Sequence, residues 1–146
     1  MKRTLIILTI LPLLFLGCDD LFSTGDTERV FDGEQLGLFP LFQESNISAG
    51  SETVEVQLIA AQRDSDLSVN YAIGNGSTAQ EGVHFTFGTP SPVTLSANTS
   101  TVNIVINYIE DSLDPGQRVD LFIELTDANT VEPAENLKRA EIRIRP

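Results

Sequence analysis

Several residue types are missing or nearly missing from this chain of 146 residues. Tryptophan is absent, cysteine, histidine and methionine each occur once, and there are only two tyrosines. A lone cysteine, Cys18, cannot form a disulfide within the chain, and a lone histidine, His84, cannot supply a pair of imidazoles to a zinc ion. The sequence therefore excludes disulfide-stapled folds and histidine-pair metal centres, and it gives little support to an aromatic platform for stacking sugars.

Positive charge is also scarce. Nine Lys and Arg residues stand against 21 Asp and Glu residues, which gives a formal net charge of −12. Such a chain repels phosphate backbones, so nucleic acid is not an expected partner. It also repels anionic lipid. The acidity is typical of a well-solvated exterior.

Long hydrophobic runs are limited to one segment at the N-terminus. Leu5–Leu16 is apolar, follows Lys2 and Arg3, and ends at Gly17. Its length fits the roughly 7–15 apolar residues of a secretory signal. It is shorter than the roughly 20 residues that a membrane-spanning helix needs. The pattern predicts a signal peptide over residues 1–17.

The end of this run, Phe15-Leu16-Gly17-Cys18, resembles the lipobox of bacterial lipoproteins. The resemblance implies that the chain is cut before Cys18, that Cys18 carries three acyl chains, and that these hold the protein on a membrane of the bacterial envelope. We expect the outer membrane or cell surface rather than the inner membrane. An ordinary secretory leader with an incidental Cys18 is the alternative. After cleavage, seven basic and 21 acidic residues remain, a formal charge of −14.

Residues 18–29 are polar and lack apolar periodicity, which is typical of a tether. From residue 30 the pattern alternates with period two, the signature of strands with one buried face. Residues 30–146 therefore form one predicted all-β domain, a two-sheet antiparallel sandwich. The alternating apolar positions are Val54, Val56, Leu58; Leu67, Val69, Tyr71, Ile73; Val102, Ile104, Ile106; Leu121, Ile123, Leu125; and Ala140, Ile142, Ile144.

Shorter segments and turn signals complete this pattern. Further predicted strands are Leu36–Phe42, Val83–Phe87 and Val93–Leu95. Asn75-Gly76 predicts a hairpin-type turn, because both residues tolerate positive φ. Asp114-Pro115-Gly116 predicts a second tight turn. No window shows a helical stripe.

Part of the sandwich resembles the Calx-beta domain family, over roughly residues 41–144. The resemblance implies an immunoglobulin-like sandwich, of which some family members bind calcium at one end. The Gly82–Phe85 run is closer to related domains in lipoproteins of Bacteroidota-type bacteria. The segments that carry the resemblance are Ser77–Phe85, Val93-Thr94-Leu95 and Thr101-Val102-Asn103-Ile104.

The calcium ligands of that family carry over only in part. The family's paired acids match Glu110 and Asp111, and Asp114 matches a further acid. Other ligand positions fall near Ala49, at His84 and around 117–118, where no carboxylate stands. Calcium takes 6–8 oxygens. We therefore expect no cofactor, and a solvated acidic loop; Glu110, Asp111 and Asp114 remain the residues to test for calcium.

No sequence feature indicates an enzyme, because no nucleophile elbow, oxyanion-hole motif or glycine-rich phosphate loop is present. Two other functions remain. The first is a non-catalytic binding or adhesion module for an envelope or extracellular protein, or less favourably a glycan. The second is a structural or accessory lipoprotein without a small ligand. Exposed apolar residues gathered on one face favour the first, and Phe122 and Val105 are the predicted places to find them.

Overall fold

Alternating apolar residues build ten strands in the computed structural model, which describes residues 33–126 and 129–146. The only helical element among them is a 3₁₀ turn at Ile47–Ala49. No helix in these two ranges has the length and apolar character needed to cross a membrane. The strands are β1 (Gln35–Phe39), β2 (Phe42–Asn46), β3 (Ser51–Ile59), β4 (Leu67–Val69), β5 (Tyr71–Ile73), β6 (Phe85–Phe87), β7 (Val93–Leu95), β8 (Thr101–Tyr108), β9 (Val119–Leu125) and β10 (Arg139–Arg145).

Two four-stranded sheets enclose one core, as predicted for a β-sandwich. The first sheet has the order β1-β3-β8-β6 and the second β2-β10-β9-β5, while β4 and β7 form a separate ribbon. All strand pairs are antiparallel, as predicted, except β2 and β10, which run parallel at one edge of the second sheet. All described residues belong to one compact unit, which ends at Pro146.

The predicted inward faces supply the core. Val54 and Val56 of β3, Ile104 of β8 and Ile123 of β9 have no exposed surface, and the same holds for Ala140, Ile142 and Ile144 of β10. Full burial of one such Val, Leu or Ile side chain stabilises a fold by about 1.5–3 kcal/mol. Most of the stability of the sandwich therefore comes from the period-two pattern of the sequence.

The segment Leu36–Phe42, predicted as one strand, is two strands in different sheets. Pro40 separates them: it has no backbone N–H, so it interrupts the hydrogen-bond ladder of a single strand. β1 pairs with β3 in the first sheet, and β2 pairs with β10 in the second. The chain thus crosses from one sheet to the other at residues 40–41.

The segment from Leu67 to Ile73 also divides, into β4 and β5. At the break, the Asn129 side chain accepts a hydrogen bond from the Asn70 backbone N–H at 2.5 Å and donates one to the Asn70 carbonyl at 3.0 Å. The Asn129 side chain thereby makes the backbone hydrogen bonds of Asn70 that a neighbouring strand would make in a continuous sheet. Tyr71 is buried as predicted, whereas Ile73 is 39% exposed, so its predicted place in the core is wrong.

Both predicted turns form. Gly76 has φ +86°, and the Gln117 N–H donates to the Asp114 carbonyl at 2.9 Å around Gly116, whose φ is +85°. The Asn75-Gly76 turn does not join a hairpin, because β5 pairs with β9 and the next strand, β6, pairs with β8. The strand predicted over Val83–Phe87 begins only at Phe85, and Val83 lies exposed in the preceding turn.

Candidate functional site

The acidic loop between β8 and β9 carries the predicted calcium candidates. Glu110, Asp111 and Asp114 are all exposed, and Asp111 has a left-handed backbone with φ +56°. The Asp114 backbone is fixed by Gln117, whose side-chain Oε1 accepts from the Asp114 N–H at 2.9 Å. Leu113 is buried and pins the middle of the loop to the core. The loop is therefore anchored by backbone and apolar contacts, with its carboxylates in solvent.

Backbone hydrogen bonds bring the other positions implied by the resemblance to the same end of the sandwich. The Tyr108 N–H donates to the Gly50 carbonyl at 2.8 Å, and the Ile109 N–H donates to the His84 carbonyl at 3.0 Å. Ala49, His84 and Glu110 thus lie on three segments joined at one end. Two of these three positions offer no carboxylate.

The metal-ligating capacity of this end is correspondingly small. Within residues 33–126 and 129–146, no group of three or more His, Cys, Asp or Glu side chains is placed to hold a metal ion. Calcium requires 6–8 oxygen ligands, largely from carboxylates and carbonyls. The involvement of Glu110, Asp111 and Asp114 in calcium binding stays a prediction.

His84 has a structural role in the turn that precedes β6. Its Nδ1 accepts a hydrogen bond from the Gln80 N–H at 2.9 Å, and its own N–H donates to the Gln80 carbonyl at 2.9 Å. The side chain closes the turn that begins at residue 80.

The outer face of the second sheet carries a ladder of opposite charges. Arg143 reaches Glu44 at 3.2 Å, Asp120 at 3.2 Å and Glu141 at 3.0 Å. Hydrogen bonds to Glu44 and then Asp120 raise the pKa of the Arg143 guanidinium above its usual value. Arg145 also pairs with Glu44, at 2.9 Å. Arg143 and Arg145 are therefore paired with carboxylates, mostly on neighbouring strands.

The two apolar residues predicted as exposed recognition points are partly covered. Phe122 is half-buried on β9 beneath the Arg139 guanidinium, whose carbon lies 4.1 Å from the ring centroid. Val105 is half-buried on β8, where its N–H donates to Thr89 Oγ1 at 3.2 Å and its carbonyl accepts from Gly88 at 2.8 Å. Neither residue forms an open apolar surface.

An apolar surface exists at a different place, where the chain crosses between the sheets. Phe39 is 59% exposed, Leu41 38% and Phe42 50%. We call these three residues the crossover patch. They fall within four consecutive positions around Pro40, and Phe42 also lies beneath Arg143, whose guanidinium carbon is 5.1 Å from the ring centroid. The patch joins the charged ladder on one side.

Sequence reasoning missed the crossover patch because it assigned the whole segment to one strand. In a single strand, Leu36, Leu38 and Phe42 share a face, which predicts burial for Phe42. The signal that could have found it is Phe-Pro-Leu-Phe, in which Pro40 ends the alternation. Cys18, the other predicted functional residue, lies outside the described residues.

Comparison with known proteins supports the fold. No family model matches the sequence, and no curated protein matches it. Among solved structures, the apo-form Calx CBD1 domain is similar with a TM-score of 0.63 and 19% identity, over 77% of this chain and 96% of that chain. The Calx CBD2 domain gives a TM-score of 0.62 and 17% identity, over 78% of this chain and 89% of that chain.

The calcium binding domain CBD12 of CALX1.1 gives a TM-score of 0.61 and 20% identity, over 76% of this chain and 45% of that chain. Identities this low establish likeness of fold. The described chain thus has a Calx-beta-like, immunoglobulin-like β-sandwich fold, as the resemblance of its Ser77–Phe85 segment implied.

Proposed function

We propose that this protein is a lipoprotein of the bacterial envelope that presents a non-catalytic β-sandwich for binding another protein through the crossover patch. The observation that carries this proposal is the exposure of Phe39, Leu41 and Phe42 within four consecutive positions of the chain. Apolar residues gathered in this way mark interaction surfaces more often than scattered ones do. Phe is also among the residue types that are enriched at protein interfaces.

The crossover patch lies away from the end of β1 at which the described chain begins. The described chain begins at Gly33, two residues before β1, and Phe39 ends β1. A strand rises about 3.3 Å per residue, so the five residues of β1 separate Gln35 from Phe39 by roughly 13 Å. The N-terminal segment therefore joins the domain at the opposite end of β1 from the patch.

Anchoring by Cys18 is the second half of the proposal, and the sequence of residues 1–18 supports it. Lipid at this cysteine would tether the domain through residues 19–32. Each buried methylene contributes about 0.8 kcal/mol, and stable anchoring needs more than one acyl chain. The three chains implied by the lipobox resemblance meet that condition.

Calcium binding is the other function that the fold suggests, since one of the similar structures is described as a calcium binding domain. The convergence of Ala49, His84 and Glu110 at one end of the sandwich favours the location of such a site. The residues themselves oppose it, because Ala49 and His84 supply no hard oxygen ligand. We infer that calcium is not part of the function.

The patch is tested with a double variant, Phe39→Ser and Phe42→Ser, in the full chain. We expect proteins captured from envelope extracts by the wild-type chain to be lost with the double variant. Val83→Ser is the matched control, because Val83 is an equally exposed apolar residue (49%) in the turn before β6. Capture that is unchanged in the double variant, or that is lost equally in the control, would contradict binding through the patch.

Anchoring is tested independently with Cys18→Ser, which removes the acylated sulfur and leaves the domain unchanged. We expect this variant in the soluble fraction and the wild-type chain in the membrane fraction. Mass spectrometry of the mature N-terminus gives a second measurement. Membrane retention of the serine variant, or an unacylated mature cysteine, would contradict lipid anchoring while leaving the patch untouched.

A further inference from the structure

An open cavity lies at one edge of the sandwich. It is formed between β5, an edge strand of the second sheet, and β6, an edge strand of the first, together with the loop that follows β6. Its volume is about 360 Å³, within the range of small-molecule sites. The walls include Tyr71, Ile73, Glu81, Phe87 and Pro90.

Two aromatic rings in the wall are held in fixed positions. Tyr71 and Phe87 pack edge to face, with centroids 5.1 Å apart and an interplanar angle of 71°, and Phe85 supports Phe87 from the core at 5.3 Å. The Tyr71 hydroxyl donates to the Thr89 carbonyl, and the Tyr71 N–H donates to Ser91 Oγ at 3.0 Å. Rings held in this way cost little conformational entropy when a ligand binds.

The charge of the cavity is negative. Glu81 is the one ionisable acid in the wall, and no lysine or arginine of the described residues lines it. None of the ion pairs found within residues 33–126 and 129–146 involves Glu81. Glu81 and Tyr71 line the same cavity, and the charge of the Glu81 carboxylate adds to burial in raising the pKa of Tyr71 to about 12.

We propose that this cavity binds an organic ammonium group, with Glu81 as its counter-ion and the half-buried ring of Phe87, which buried Tyr71 holds in place, as its aromatic wall. Aromatic faces attract ammonium groups, and the attraction grows when water is partly excluded. A single carboxylate is too few oxygens for calcium but suffices for one ammonium group. Anions are disfavoured here, because the cavity and the chain as a whole are negative.

An ammonium group of this kind occurs on free alkylamines and on the lysine side chains of proteins. Ile73 and Pro90 add apolar surface beside the charge, which suits an alkyl stem in either case. The proposal does not depend on the crossover patch. The two sources are separated by the choice of probe.

The test is a titration of the full chain with Nα-acetyl-lysine amide, followed through the NMR signals of the two tyrosine rings. Nα-acetyl-norleucine amide is the neutral control, because it has a four-carbon side chain without the ammonium group. We expect the lysine derivative to bind at least tenfold more tightly. Equal affinity of the two probes, or no response to the lysine derivative at 20 mM, would overturn the proposal.

Two variants locate the site. Glu81→Gln removes the charge at an exposed position, and we expect at least fivefold weaker binding; Glu132→Gln, an exposed acid elsewhere, should bind as wild type does. Phe87→Leu keeps an apolar side chain and removes a ring, and it should also weaken binding, with an unchanged circular dichroism spectrum confirming the fold. Wild-type affinity in Glu81→Gln would overturn the assignment.

The source is decided by n-butylamine, which carries the ammonium group without a peptide. Affinity equal to that of the lysine derivative identifies a free-amine site. Affinity at least fivefold weaker identifies a site for lysine side chains, because the flanking amides then contribute. In either case binding depends on the charge of Glu81. Binding of either probe to Glu81→Gln with wild-type affinity would count against the proposal.

Discussion

The guanidinium of Arg139 lies over the ring of Phe122, with its carbon 4.1 Å from the ring centroid. The same guanidinium donates to the Asn75 carbonyl at 2.6 Å and lies 3.9 Å from a Glu124 oxygen. An aromatic residue on the outer face of the second sheet is thereby capped by an intramolecular cation. The contact explains why Phe122 is not the open binding residue that the alternation predicts.

We expect Arg139→Ala to lower the free energy of unfolding by about 1 kcal/mol, because an exposed cation–π contact is worth about 0.5–1 kcal/mol and a backbone hydrogen bond is lost with it. Urea denaturation of the full chain measures this. Arg118→Ala is the control, since Arg118 makes only a surface pair with Asp120 at 3.4 Å and should change stability by less than about 0.5 kcal/mol. Equal losses in the two variants would count against the Phe122 contact.

Asn129 offers a sharper test, because one buried side chain satisfies the backbone at the break between β4 and β5. It bonds to Asn70 through both amide atoms and donates to the Thr126 carbonyl at 2.8 Å. Asn129→Ala removes the partner of the Asn70 N–H and of the Thr126 carbonyl, at about 1–3 kcal/mol for each one that stays buried. The Asn70 carbonyl keeps a bond from the Thr126 N–H at 3.1 Å. We expect a loss of about 2–4 kcal/mol, measured by urea denaturation.

Two further variants serve as controls for this prediction. Asn129→Asp keeps the acceptor for the Asn70 N–H and loses the donor, so its loss of stability should be smaller than that of the alanine variant. Asn103→Ala changes an exposed asparagine on β8 and should cost less than about 0.5 kcal/mol. A cost for Asn129→Ala as small as for Asn103→Ala would show that water replaces the side chain.

The buried faces of the long strands could be predicted because apolar and polar residues alternate within each strand. In β3, β9 and β10 every second residue is buried, and this depends only on the period-two geometry of the strand. The sequence of Val54, Val56 and Leu58 is sufficient to place that face. The turn at Asp114-Pro115-Gly116 was predicted from a different local signal, the preference of Pro and Gly for positions in tight turns.

The places where prediction was wrong depend on distant residues. The break at Asn70 requires Asn129, which lies 59 positions away, and no pattern within Leu67–Ile73 contains it. The parallel pairing of β2 with β10 likewise joins opposite ends of the domain. For the crossover patch, Pro40 marks the end of the strand locally, but the sheet that the next strand joins is a property of the whole sandwich.

The convergence of residues at the acidic end followed from the resemblance rather than from any local pattern. It correctly brought the segments of Ala49, His84 and Glu110 together. The cavity beside Glu81 could not be predicted from a local pattern or from the resemblance. It depends on the strand order of both sheets, which makes β5 an edge strand of the second sheet and β6 an edge strand of the first.

The two tyrosines give a pH prediction. Burial, with Glu81 adding to it for Tyr71 and Glu52 for Tyr108, raises the pKa of each hydroxyl from 10.0 to about 12. Below pH 10 both the folded and the unfolded chain keep these protons, so the full stability is present. Between pH 10 and about 12 only the unfolded chain releases them, and the free energy of unfolding falls by up to about 2–3 kcal/mol per tyrosine.

The measurement is urea denaturation at several pH values, with tyrosinate absorbance followed in parallel. The absence of tryptophan leaves that absorbance free of overlap. Tyr71→Phe should remove about half of the alkaline loss, and Tyr108→Phe should remove a similar share. Tyrosinate absorbance that rises near pH 10 in the folded chain would contradict the raised pKa values.

Calcium gives the last prediction. We expect the melting temperature of the full chain to change by less than about 1 °C in 5 mM calcium, because the acidic loop supplies too few oxygen ligands. A ligand that binds only the folded state with millimolar affinity would add about 1 kcal/mol at this concentration. It would raise the melting temperature by several degrees, so binding would be detected. Magnesium at the same concentration is the control for ionic screening of an acidic surface. A rise of several degrees with calcium alone would reverse the prediction.

The variant that decides the origin of such a rise is Asp111→Asn, because asparagine tolerates the left-handed backbone of Asp111, whereas alanine there would introduce strain. Asp64→Asn is the matched control, an exposed acid outside the acidic loop. A rise abolished by the first variant and kept by the second would establish calcium at Glu110, Asp111 and Asp114. A rise kept by both would place the ion elsewhere on the acidic surface.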